Sequence, residues 1–167
     1  MRKPALILLL AGFLLSACGE DTQSPYLEFT GGGFIFNYRI AEAFYGFVAK
    51  PKRAIPEGSE IIAEFENPSG GDPIIVTATV KPSQLQYMLR TPGVEGVVKD
   101  RPYKIIVTLM EPGNPAPLAV YEKEYRSNIT QADLPAVALT TGPGYHPNPE
   151  LYDEKEKGFV FPKTGSR

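Results

Sequence analysis

The sequence predicts an all-β fold in which two antiparallel sheets pack face to face. Three observations carry this. From Tyr26 to about Thr130 apolar and polar residues alternate with a period of two, and the apolar ones are rich in β-branched types, the signature of half-buried strands. The joints between these runs hold Pro and Gly together, as in Asn67-Pro-Ser-Gly-Gly-Asp-Pro73 and Glu111-Pro-Gly-Asn-Pro-Ala-Pro117. Pro presets φ there and Gly frees it, which is turn chemistry. Composition agrees: 17 prolines, 16 glycines and no Trp suit short strands and turns better than a helical bundle.

The elements follow in order. Phe34, Phe36, Tyr38 and Ile40 alternate as a strand, while Ile40, Ala43, Phe44, Phe47 and Val48 also fit a helical stripe. Gly46 inside such a helix costs about 1 kcal/mol relative to Ala, so two strands, or one long bent strand, are favoured over residues 33–49. In Ser59–Glu66, Ile61, Ala63 and Phe65 share one face, and Glu60, Ile62, Glu64 and Glu66 the other. In Pro73–Val80, Ile74, Val76, Ala78 and Val80 oppose Ile75, Thr77 and Thr79. Gln84–Arg90 sets Leu85, Tyr87 and Leu89 against Gln86 and Met88. Tyr103–Met110 points Tyr103, Ile105, Val107 and Leu109 inward. Leu118–Arg126 closes the series with Ala119, Tyr121 and Tyr125 on one side. Successive strands joined by such loops pair antiparallel, and about seven of them fit a sandwich of the immunoglobulin or fibronectin type III kind. Tyr103 at the start of the strongest strand resembles the tyrosine corner of those sandwiches, whose phenol bonds nearby backbone. Beyond Thr130 the pattern thins. Residues 136–140 read as one more edge strand, and the Pro/Gly-rich and charged stretch 141–167 as a loosely packed tail.

The N-terminus sets the address. Met1-Arg2-Lys3 is a short basic start, and residues 5–15 are an uncharged apolar run. The run is shorter than the roughly 20 residues that span a bilayer, and its flanks are those of a signal peptide. Leu15-Ser16-Ala17-Cys18 resembles the lipobox of bacterial lipoproteins. The resemblance implies cleavage after residue 17, acylation of the Cys18 thiol, and a lipid partner for the mature chain. Two or three acyl chains hold a protein on a membrane almost permanently. In that family an Asp after the cysteine tends to retain enteric lipoproteins in the inner membrane. Gly19 stands there instead, which implies the outer membrane, facing the periplasm. Residues 18–25 form a polar tether of roughly 25 Å reach, and residues 26–140 the sandwich domain.

Composition also excludes partners. Acidic residues outnumber basic ones 19 to 17, and without a basic tract nucleic acid is not expected. Cys18 is the single cysteine, so once acylated it leaves no thiol for a disulfide or a Cys-ligated metal. No cofactor motif occurs: the triple Gly31-Gly32-Gly33 lacks the Lys-Ser or Lys-Thr of a phosphate loop. Asn128-Ile-Thr130 matches a glycosylation sequon that a bacterial lipoprotein would not ordinarily use. His146, the single histidine, reads as an exposed loop residue, with Glu150 and Asp153 the nearest acids. Glu60, Glu64 and Glu66 read as a solvated strand face. The aromatic run Phe34, Phe36, Tyr38, Phe44, Tyr45 and Phe47 reads either as core or as an apolar platform. Phe44, Tyr45 and Phe47 are its candidate partner-binding residues.

Ile55-Pro-Glu-Gly-Ser-Glu-Ile-Ile-Ala-Glu-Phe-Glu66, the apolar run Ile74–Val80 and Arg101-Pro-Tyr-Lys-Ile105 resemble small bacterial lipoproteins that include the lipoprotein chaperones, or pilotins, of type III secretion. The chain departs from that pattern at Pro102 and at Phe65-Glu-Asn-Pro-Ser69. The resemblance implies a β-sandwich that binds a partner protein. The expectation is a lipid-anchored envelope protein acting as a non-catalytic binding or assembly accessory. The alternative is an envelope hydrolase or metal-dependent enzyme using His146 and nearby acids.

Overall fold

The computed structural model describes residues 24–160. The leader, Cys18, most of the tether and residues 161–167 lie outside the described residues. Seven strands of four residues or more make two sheets, and every strand pair is antiparallel. The three-stranded sheet runs β1 (Leu27–Asn37), β2 (Glu42–Pro51), β5 (Tyr87–Arg90). The four-stranded sheet runs β4 (Ile74–Thr79), β3 (Glu60–Phe65), β6 (Pro102–Met110), β7 (Pro117–Arg126).

The period-two faces form the interior. Tyr45, Phe47 and Ala49 from β2 meet Ile61, Ala63 and Phe65 from β3 and Tyr103, Ile105, Val107 and Leu109 from β6, all essentially buried. Each such large side chain contributes about 1.5–3 kcal/mol by leaving water. Aromatic pairs bridge the sheets. The Phe34 ring lies edge-on to Tyr103 at 5.2 Å, Tyr45 edge-on to Phe65 at 5.2 Å, and Phe29 edge-on to Tyr121 at 5.3 Å, geometries the ring quadrupole favours.

Residues 33–49 are two strands joined by a turn at residues 38–41, not a helix. Asn37 Oδ1 accepts the Arg39 N–H at 3.1 Å and the Asn37 carbonyl accepts the Ile40 N–H at 3.3 Å, so the chain reverses after Asn37. The two Pro/Gly joints are hairpin loops between β3 and β4 and between β6 and β7.

Phenols at the margin of the core fasten loops. Tyr103 Oη accepts the Val98 N–H at 2.8 Å and lies 3.5 Å from the Gly96 carbonyl, to which it donates. Tyr87 Oη accepts the Lys81 N–H at 3.0 Å and donates to the Lys81 carbonyl at 3.3 Å. Tyr121 Oη accepts the Leu27 N–H at 3.1 Å. The Tyr45 hydroxyl donates to the Glu66 carbonyl.

Two expectations are corrected. The run 84–90 is a strand only from Tyr87, and Leu85 is 82% exposed. The reason is the loop 81–86, which Tyr87 closes on Lys81, with a further turn bond from the Gln84 N–H to the Lys81 carbonyl at 3.0 Å. Residues 136–140 contribute only Thr140 to a strand. The described part of the stretch after 140 holds two small hairpins: β8 (Thr140–Thr141) with β9 (His146–Pro147), and β10 (Tyr152–Asp153) with β11 (Gly158–Phe159). Asn148 organises them. Its N–H donates to the Leu139 carbonyl at 2.8 Å and its Nδ2 to the Ala138 carbonyl at 2.7 Å. Its own carbonyl accepts the N–H groups of Leu151 and Tyr152 at 3.0 and 2.9 Å. Leu151 is buried beside it in sequence, and Tyr152 meets Phe159 edge-on at 5.4 Å.

Candidate functional site

Side chains on the outer face of the three-stranded sheet come from alternate positions of β1, β2 and β5. Register sets Ile35 beside Phe44, Gly33 beside Gly46 beside Arg90, and Gly31 beside Val48 beside Met88. The middle row therefore has two glycines where a sheet ordinarily carries side chains. The result is a concavity of about 270 Å³, floored by backbone at Gly33 and Gly46 and walled by Ile35, Val48, Met88 and Arg90.

Both glycines are required by geometry. Gly33 has φ +147°, a region costly for residues with a Cβ. A Cβ on Gly46 would stand 2.3 Å from the Leu89 carbonyl oxygen and 2.7 Å from Arg90 Cα. The walls are apolar and open to water: Ile35 is 54% and Met88 69% exposed. At the rim the Arg90 guanidinium lies 4.2 Å from the centre of the Phe44 ring. Among the described residues Arg90 forms no ion pair. An apolar ligand segment with a carboxylate beside it complements this surface, since a guanidinium binds carboxylate through paired N–H donors.

Of the three aromatic candidates, only Phe44 reaches this outer face. Tyr45 and Phe47 point to the other side of β2 and are 0% and 1% exposed. Tyr45 stacks on Phe34 at 4.5 Å and Phe47 on Phe65 at 6.0 Å. Burial pushes the Tyr45 hydroxyl well above its usual range, reinforced by the charges of Glu66 and Tyr103. Tyr45 and Phe47 thus belong to the core under the site and not to its surface.

A second hollow, of about 230 Å³, lies on the outer face of the four-stranded sheet between Glu64, Glu66, Lys104 and Pro73. Two of its three charged residues, Glu66 and Lys104, are already engaged. Glu66 meets Arg101 at 2.6 Å and accepts the Lys104 N–H at 3.0 Å, while Lys104 Nζ meets Glu122 at 2.8 Å. The hydrogen bond to Glu122 also raises the Lys104 ammonium above its usual range. His146 sits exposed on β9, and among the described residues no group of three His, Cys, Asp or Glu side chains is placed to hold a metal ion. Cys18 lies outside the described residues.

Alternation alone turns Met88 outward. The row Gly33–Gly46–Arg90 depends on strand register, which no local pattern in the sequence encodes. Comparison of the chain with protein-family models, curated proteins and solved structures yields no match.

Proposed function

We propose that this chain is a lipid-anchored cell-envelope protein, held through Cys18 on the outer membrane and facing the periplasm, and that it acts as a non-catalytic binding or assembly accessory. Its occupant is an extended apolar segment of another envelope protein carrying an adjacent acidic residue. The observation that carries this reading is the glycine-floored concavity with Arg90, which forms no ion pair among the described residues, at its rim. Contiguous exposed apolar surface rimmed by a polar group marks interaction sites.

For the domain itself we favour the fibronectin type III arrangement of the sandwich. The division into three strands (β1, β2, β5) and four (β4, β3, β6, β7) supports it, as does the Tyr103 phenol bonded back to the Val98 N–H just ahead of β6. The cysteine at the end of the apolar leader supports the anchor.

The test is site-specific photo-crosslinking in intact cells, with the photoreactive residue at Met88 or Ile35 and, as control, at Glu122 on the opposite sheet. A discrete heterologous adduct from Met88 and Ile35, absent from Glu122 and lost in the Arg90→Glu background, is the expected result. Adducts from Glu122 alone, or the same adducts with Arg90→Glu, overturn it.

A further inference from the structure

The point where the chain enters the sandwich is fixed by several contacts. β1 begins beside the end of β2, with Leu27 paired to Pro51. The Lys52 N–H donates to the Tyr26 carbonyl at 2.9 Å, and the Arg53 guanidinium lies 3.8 Å from the centre of the Tyr26 ring. Six peptide units separate Cys18 from Ser24, a span of at most about 22 Å. The loop 81–86 projects from this same end. β5 pairs antiparallel with β2 and sets Tyr87 beside Ala49, so the residues ahead of Tyr87 run on in the direction of Lys50 and Lys52.

The loop is fastened from below. The buried Tyr87 holds the Lys81 N–H and carbonyl through its phenol, and Gln84 Nε2 donates to the Gln86 carbonyl at 3.1 Å. Held in this way, Leu85 is the most exposed large apolar side chain among the described residues. Pro82 in the same loop, and Ala54 and Pro56 behind β2, are exposed as well. The charges at this end are divided between the sheets. Lys50 and Lys81 are exposed and form no ion pair among the described residues. Lys52 meets Glu28 at 3.3 Å. The other acids here, Glu57, Glu60 and Glu111, stand at the margin of the four-stranded sheet, around the start of β3 and the end of β6.

We propose that the loop 81–86 is a second, non-covalent point of contact with the membrane: Leu85 enters the headgroup boundary of an anionic phospholipid leaflet, and Lys50 and Lys81 lie against its phosphates. This rests on the anchor at Cys18 proposed above, and that anchor selects lipid as the occupant. The short span between Cys18 and Ser24 keeps this end of the strands within reach of the bilayer, and a tethered contact is intramolecular, so a weak one suffices. An apolar side chain gains by burial at the boundary of headgroups and acyl chains, and lysines are drawn to an anionic leaflet. The acids on the four-stranded sheet are repelled by the same surface, which tips the β2–β5 side toward it. The row of Gly46 and Arg90 lies about 13 Å farther along β2 from Lys50, so the concavity stays open to water.

The test uses the full acylated chain in vesicles of phosphatidylethanolamine and phosphatidylglycerol. Cys18 is the single cysteine and its thiol is taken by the anchor, so an added cysteine is the one that accepts a dye. Ser83→Cys and Glu95→Cys, both at exposed positions and at opposite ends of the strands, are labelled separately. Quenching by nitroxide-bearing lipid is expected to be severalfold stronger at position 83 than at 95. Leu85→Asp, or Lys50→Glu together with Lys81→Glu, each added to Ser83→Cys, lowers the quenching to the level at 95. Equal quenching at the two positions in chains that float with the vesicles, or quenching at 83 that ignores both sets of substitutions, overturns the contact and leaves the anchor standing. Chains that do not float with the vesicles overturn the anchor and the contact with it.

Discussion

Gly46, paired with Arg90, lies so close to the backbone of Leu89 that a Cβ on Gly46 would stand 2.3 Å from the Leu89 carbonyl oxygen. The obstacle is backbone, which cannot turn aside as a side chain can. Gly46→Ala therefore forces β5 away from β2, and a loss of about 1–3 kcal/mol is expected in urea denaturation. Gly31 is the control. A Cβ there meets nothing within 4 Å, so Gly31→Ala leaves stability unchanged or raises it by up to about 1 kcal/mol through the unfolded chain.

The Tyr103 phenol is the acceptor for the Val98 N–H at 2.8 Å. Tyr103→Phe keeps the ring against Phe34 and removes that bond together with the long one donated to the Gly96 carbonyl. A loss of about 0.5–1.5 kcal/mol is expected, read as a lower denaturation midpoint at unchanged slope. A change in slope as well would mean that the loop 91–101 had detached.

Alkaline pH should weaken the fold through Tyr45 and Tyr125. Burial raises both phenols above their ordinary value of 10.0, so the folded state favours the neutral forms. Below about pH 10 folded and unfolded chains are both neutral at these groups and this stabilisation is fully present. As pH rises further the unfolded chain ionises first, binds fewer protons than the folded one, and stability falls. Denaturation midpoints measured from pH 8 upward should decline beyond pH 10. Tyr45→Phe lowers stability at pH 8, because the hydroxyl loses the Glu66 carbonyl, and flattens the alkaline decline.

Asn148→Ala removes the side chain that holds the Ala138 carbonyl at 2.7 Å and accepts the Glu150 N–H at 3.1 Å. The two small hairpins should then open to protease while the sandwich keeps its denaturation midpoint. Limited proteolysis with mass mapping checks this: cleavage should move into residues 141–160, with the product ending beyond β7 still folded.

Cys18→Ser should abolish incorporation of labelled palmitate and release the protein from the membrane fraction. Labelling that persists in this variant would remove the proposed anchor.

Much of the fold was legible in the sequence because strand burial has the shortest possible period. The inward set Ile61, Ala63, Phe65 and the inward set Tyr103, Ile105, Val107, Leu109 emerge from alternation alone. Leu85 misled because alternation continues through a loop that Tyr87 closes from a distance. The small hairpins after residue 140 depend on one Asn making bonds to residues 138 and 139, which composition does not announce. The candidate site was only half visible. Phe44 could be named from its aromatic neighbourhood, yet the empty row between Ile35 and Met88 exists because Gly33 and Gly46 fall side by side, a matter of pairing between strands.

Gln131 lies past the last long strand, yet it completes the segment between β5 and β6. Its backbone N–H donates to the Val97 carbonyl at 2.8 Å, its Oε1 accepts the Val97 N–H at 3.3 Å, and its Nε2 donates to the Val94 carbonyl at 3.0 Å. One side chain thus behaves as a strand residue would, supplying donor and acceptor to a stretch that β2 reaches only through the bridge between Ala43 and Val94. A recombinant fragment trimmed to the seven long strands would end at Arg126 and strip Val94 and Val97 of these partners. The smallest self-sufficient piece of this polypeptide therefore extends at least through the short 3-10 turn Gln131–Asp133.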